Sequence, residues 1–164
     1  MGGGTRTRRS LIRRLRDASV WGPDAIGPDD VRVRGLLQAA FPWFDICLVL
    51  FGLGGFDSGI PALRDVFSDV YARAWCATIA VVALGCLLGV AFPERFWRIE
   101  LYGKAFLAMM LTVYAFALLW AGAVSGDGGR AAVGFMPIAF IGPLIWRVND
   151  VVKDARRNGW KGHV

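Results

Sequence analysis

Four long stretches with almost no charge limit what this chain can fold into more than any other feature. Between Gly35 and Asp57 the only charged side chain is Asp45. Between Arg73 and Glu94, between Lys104 and Asp127, and between Arg130 and Arg147 there is none. A chain of 164 residues that is 55% hydrophobic and 20% charged is too small to hide four such segments in a water-soluble core. The same apolar content excludes a disordered chain. Three Cys and one His exclude a disulfide-stapled scaffold and a zinc module. The expected fold class is all-α: an integral membrane bundle of four transmembrane helices.

A helix needs ~20 apolar residues to cross a hydrocarbon core of ~30 Å. Residues 74–92 and 105–124 meet this without a single charge, and residues 36–56 meet it with Asp45 as the exception. Residues 131–146 form the shortest candidate and contain Pro137 and Pro143, which remove backbone donors, although membrane helices tolerate proline. The expected organisation is a basic tail over 1–35, a four-span membrane domain over 36–148 and a second basic tail over 149–164. A re-entrant or interfacial segment is the alternative for 131–146.

Lys and Arg gather on the cytoplasmic side of membrane proteins. The first tail, the 93–104 connection and the last tail together with Arg147 just before it hold 16 of the 19 basic residues. Four spans put these three segments on one side, so both termini are expected in the cytoplasm and the protein in a cytoplasmic membrane. Trp75, Trp97, Tyr102, Trp120 and Trp146 fall near the expected span ends, where amphipathic rings favour the headgroups. The first apolar run starts too far along the chain for a cleavable signal peptide, so it is expected to remain as an anchor. Arg6 stands where a myristoylation signal wants Ser or Thr.

Residues 8–20 place Leu11, Ile12, Leu15 and Ala18 at helical spacing among arginines. The expectation is either a basic amphipathic helix on an anionic cytoplasmic leaflet or an orientation signal alone; a nucleic-acid partner is not expected. Residues 21–30, with two Gly-Pro pairs, suggest a hinge. In the connection over 57–73, Ser58 is a candidate cap and Pro61 suits a first turn. Leu63, Val66, Phe67, Val70 and Tyr71 then mark a short amphipathic helix lying on the outer surface or over the bundle. Residues 125–130 form a glycine turn.

Within 92–106, Arg95, Trp97, Arg98, Glu100 and Lys104 are expected as interfacial anchors, with Glu100 and Lys104 spaced i, i+4 for a helical ion pair. Gly85 and Gly89 form a small-xxx-small pattern suited to close helix packing, within one chain first and between copies of a homo-oligomer second.

Candidate chemistry is sparse. His163 lies in a tail without a partner, and Cys47, Cys76 and Cys86 sit in apolar runs as small hydrophobes. No catalytic motif is present, so neither enzyme activity nor a catalytic, cofactor-binding or metal site is expected. Asp45 is the intramembrane polar candidate, because a charge at the bilayer centre costs ~3 kcal/mol. A deep Asp45 would be protonated or hydrogen-bonded to Thr78, Thr112 or Tyr114. A shallow one would pair with Arg34, Arg98 or Lys104. A structural role ranks ahead of a pore-lining or proton-sensing one.

The run Phe92-Pro93-Glu94-Arg95-Phe96-Trp97-Arg98-Ile99-Glu100-Leu101-Tyr102-Gly103, the following span with Tyr114, the basic tail and the Trp43-Phe44-Asp45 entry carry a resemblance. Over roughly residues 36–122 the chain resembles small multi-span membrane proteins of actinobacterial phages, many of them described as holins. That resemblance implies a location in the membrane of a bacterial host and carries over no catalytic residue. Together with small size, several spans and basic tails, it makes a holin-like permeabiliser the leading expectation. A membrane scaffold or host-modifying interaction protein is the alternative, and a small channel or transporter subunit the third.

Overall fold

The computed structural model describes residues 19–22, 35–60, 63–64 and 67–157. Helix α1 spans Phe41–Ser58 and is entered through a π-helical turn, Leu36–Ala40. Helices α2 (Asp69–Ala91), α3 (Pro93–Ser125) and α4 (Gly128–Arg157) follow. With the π-turn counted into the first, all four helices are long and apolar enough to cross a membrane. The 8–20 helix falls almost wholly outside the described residues, as do Pro61, Val66 and the end of the last tail.

Local chemistry sets each boundary. Pro42 has no N–H to give to the Gln38 carbonyl four residues earlier. The turn before it opens to the wider π form, with the Phe41 N–H reaching the Leu36 carbonyl. The freed Gln38 carbonyl accepts the indole N–H of Trp21 at 3.0 Å, and the Gln38 side-chain amide donates to the Val20 carbonyl at 3.0 Å. The Val20 N–H in turn reaches the Ala91 carbonyl at the end of α2. The turn at residues 19–22 therefore ties the start of α1 to the end of α2.

Ser68 caps α2 by accepting the Tyr71 N–H, and Asp69 adds a favourable charge to the first turn. Phe92 alone links α2 to α3, and Pro93 suits the first turn of the new helix. Gly126, at φ 68°, takes the left-handed conformation that closes α3. The Asp127 carboxylate then accepts the Gly129 and Arg130 N–H groups at the start of α4.

Several expected boundaries are corrected. The 93–104 connection is helical throughout, so α3 starts twelve residues before the expected span, with a local break at Phe96 (φ −120°, ψ 16°). Residues 131–146 lie in one continuous helix despite Pro137 and Pro143, and that helix runs on through Arg157 into the expected tail. Ser58 ends α1, its hydroxyl donating to the Gly54 carbonyl, so it caps no new helix. Leu63 is fully buried with Ile60 against Ala72, Cys76 and Leu118, which puts this connection over the bundle end; Val70 and Tyr71 already belong to α2.

Consecutive helices pack against one another, giving two hairpins, α1–α2 and α3–α4, joined along α2 and α3. The main core gathers Leu48, Ile79, Ala83, Leu107, Leu111 and Leu144. Helix α1 meets α4 through rings, Phe41 on Trp146 at 5.7 Å and Phe44 on Phe140 at 5.4 Å. The outer face is apolar, with Trp43, Val81, Phe116, Val124 and Met136 all exposed. Cys47 is exposed as well, a correction to its expected burial, whereas Cys76 and Cys86 are buried.

Glycines set the closest approaches. A Cβ on Gly52 would stand 2.6 Å from the Cys76 carbonyl oxygen, and one on Gly89 would stand 2.5 Å from the Cβ of Glu100. Gly85 faces only the end of the Ile99 side chain, at 3.4 Å. Both members of the Gly85/Gly89 pattern thus face α3 of the same chain. Gly52→Ala and Gly89→Ala are expected to destabilise the bundle by about 1–3 kcal/mol, and Gly85→Ala to be tolerated. Unfolding of the purified protein in mixed SDS micelles checks the contrast; equal effects at the three sites would refute it.

Candidate functional site: a buried ionic cluster

The main candidate site is a group of charges sealed inside the bundle. Asp45 and Lys104 are 0% exposed, Glu100 is 1% exposed and Arg147 is 4% exposed. Lys104 Nζ donates to both oxygens of Asp45, at 2.7 and 2.9 Å. Arg147 grips Glu100 with two donors, Nε to Oε1 at 2.7 Å and Nη2 to Oε2 at 3.2 Å. Its third donor, Nη1, reaches Asp150 one turn further along α4, at 2.8 Å. The planar guanidinium fork is suited to such two-point binding, while the lysine ammonium acts as a compact point charge.

Phe41 lies close to both cations. Lys104 Nζ and the Arg147 guanidinium carbon each lie 5.5 Å from its ring centroid. The negative face of an aromatic ring attracts a cation, more strongly where water is excluded. The ring stacks on Trp146 with its plane turned by only 9°, which fixes its orientation. Two acids and two bases therefore share one buried site, with one aromatic ring in reach of both cations.

Helical geometry brings the residues together. Glu100 and Lys104 are one turn apart on α3 and face the interior on the same side. Lys104 looks across to α1 and Glu100 to α4. Gly89 allows α2 to approach the Glu100 backbone, and the Cys86 thiol lies 4.0 Å from the Glu100 carbonyl oxygen. At ~1.5 Å per residue, Lys104 and Arg147 both lie about 30 Å along their helices from the α3–α4 turn, close to the thickness of a hydrocarbon core.

The expectations divide clearly. Asp45 pairs with Lys104, one of the three bases named for a shallow position. Thr78 and Thr112 instead donate back to the carbonyls of Ala74 and Ala108, and Tyr114 packs on Phe51. The Glu100–Lys104 ion pair is corrected: the i, i+4 spacing puts both on one face, yet each is taken by a charge on another helix. Neither is an interfacial anchor, because both are buried. Arg95 and Arg98 remain exposed, their guanidinium carbons 5.7 Å from the Phe96 ring centroid and 5.5 Å from that of Trp97.

Arg147, in sequence only the charge that ends the last apolar stretch, is the member of the cluster that sequence reasoning misses. The signal that could have found it is charge balance by depth: two acids within helical reach of the span ends require two bases at the same level.

Taking an ion out of water costs several kcal/mol, and only a well-placed partner offsets this. Removing one member should therefore cost more than removing both. Lys104→Met and Asp45→Leu are each expected to destabilise the bundle by about 3–5 kcal/mol, with the double variant recovering most of the loss. A double-mutant cycle of unfolding in detergent measures this coupling; additive losses would refute the pairing. Comparisons with family models, curated proteins and solved structures find no match for this chain.

Proposed function

We propose that this protein is a holin-like membrane protein, which crosses a bacterial cytoplasmic membrane four times, associates with further copies and permeabilises the bilayer. The observation that carries the reading is that the Asp45–Lys104 ion pair joins one helical hairpin to the other. Asp45 belongs to α1 and Lys104 to α3, whereas Glu100 and Arg147 both belong to the second hairpin. Parting the hairpins in lipid would leave two bare charges, which is costly. Parting them against water would not, because an exposed ion pair contributes only ~0–1 kcal/mol. The pair thus favours a closed bundle in intact lipid and releases it where water enters.

The filled core supports a lesion formed between hairpins or between copies over a channel through one bundle. Leu48, Ile79, Leu107, Leu111 and Leu144 occupy the interior beside the ionic cluster. The apolar outer face suits both lipid and neighbouring copies. The end of the bundle with the start of α1, the α2–α3 turn and the end of α4 is the end rich in Lys and Arg, which supports a cytoplasmic placement for both termini.

Inducible expression in a bacterium, with membrane potential and growth followed over time, tests the proposal. The expected result is a collapse of potential once the protein is abundant; abundant protein with potential and growth unchanged would overturn it. Lys104→Met, matched for abundance, is expected to bring the collapse forward. Removal of residues 1–18 is expected to leave it intact, whereas a scaffold recruiting partners through its basic tail would lose activity.

A further inference from the structure

An open groove of about 520 Å³ runs between α2 and α3 on the outside of the bundle. Its lining is Val82 from α2 with Arg98, Ile99, Tyr102, Gly103 and Phe106 from α3. That volume falls within the ~300–1,000 Å³ of small-ligand sites. Arg98, Tyr102 and Phe106 follow one another at i, i+4 and i+8, so they form a single stripe along α3. The stripe begins with a cation and continues as an apolar wall. Gly103 supplies the floor: a Cβ there would stand 2.6 Å from the Cys86 sulfur, so α2 and α3 come close beneath the groove.

The position along the helix adds a second argument. Arg98 lies about 40 Å along α3 from Ser125, at ~1.5 Å per residue. A bilayer measured between its headgroup regions is ~40–45 Å thick. With the α3–α4 turn among the headgroups of one leaflet, Arg98 stands among those of the other, and Phe106 lies about 12 Å deeper, among the acyl chains. Arg98 is exposed, and no described carboxylate forms an ion pair with it. Its guanidinium is steadied by the Trp97 ring at 5.5 Å. Such a cation–π contact uses no N–H of the guanidinium as a conventional donor, and a phosphate matches the fork of those donors.

We propose that this groove is a binding site for an anionic glycerophospholipid, one acyl chain lying along Val82, Tyr102 and Phe106 and the phosphate resting on Arg98. The charge complementarity is direct, with a cation at the headgroup end of an apolar wall. The site rests on the chain spanning a bilayer and is independent of permeabilisation.

Native mass spectrometry of the full-length protein in detergent, titrated with phosphatidylglycerol or with phosphatidylcholine of the same chains, tests it. One phosphatidylglycerol is expected to be retained in preference to phosphatidylcholine. Arg98→Gln should reduce that preference about fivefold, the factor one basic residue contributes beside an anionic surface, and Arg156→Gln should leave it unchanged. Val82→Trp, which fills the groove, should lower retention of both lipids. Equal retention by Arg98→Gln, or undiminished retention by Val82→Trp, would overturn the site. Displacement by excess inorganic phosphate would also overturn it, since the acyl chain would then contribute nothing. Alkaline extraction of membranes keeps the two levels apart: a protein that resists extraction but shows no lipid preference loses only the groove, and one that is extracted loses the spanning arrangement.

Discussion

The contact on which the rest of the bundle depends is the one between Asp45 and Lys104. Neither charge can face hydrocarbon alone at acceptable cost. Once paired at 2.7 and 2.9 Å, they fix which side of α1 looks inward and how far α1 is shifted along α3. Those two settings place Phe41 over Lys104 and Arg147 at once. A rotation of α1 by one residue, about 100°, would remove Asp45 from its partner and the ring from both cations.

This matters because apolar packing supplies little preference of its own in a membrane. Lipid chains are as apolar as leucine, so association relies on close van der Waals fit and on polar contacts. Both are distributed unevenly here. Close fit occurs along α2, where Gly52 meets Cys76 and Ala80 from one side and Gly89 meets Glu100 from the other, and between α3 and α4, where Gly122 meets Ala131 and Gly134 meets Leu119. The polar contacts join α3 to α1 and to α4. Helices α3 and α4 thus have both devices, while α1 meets α4 through the Phe41–Trp146 and Phe44–Phe140 ring contacts.

The four apolar helices were legible in the sequence, because a run of uncharged residues is a local property. So was the glycine turn between α3 and α4, which Gly126 and Asp127 carry through backbone conformation and capping. The ionic cluster was not. Asp45 and Lys104 are 59 positions apart and Glu100 and Arg147 are 47 apart, so no local spacing announces either pair. Hydropathy counts each charge as a cost, and this is why residues 95–104 read as a connection and α3 as starting near residue 105. The cost vanishes only when the opposite charge arrives from another helix. The i, i+4 spacing of Glu100 and Lys104 suggested a local pair for the same reason.

Pro42 connects the cluster to the start of the chain. Its missing N–H frees the Gln38 carbonyl, and Trp21 takes it; Val20 is then held by Gln38 and by Ala91. The turn at residues 19–22 therefore bonds to α1 and to α2 but not, through these contacts, to α3 or α4. These bonds tie the two helices of the first hairpin together. A separation that breaks Asp45–Lys104 leaves every one of these bonds intact. Gly52 packed on Cys76 and Ala80 strengthens that hairpin from within. The position of one proline and one aspartate in the same helix thus sets both how the first hairpin is tied together and the ion pair that, among the described residues, joins it to the second.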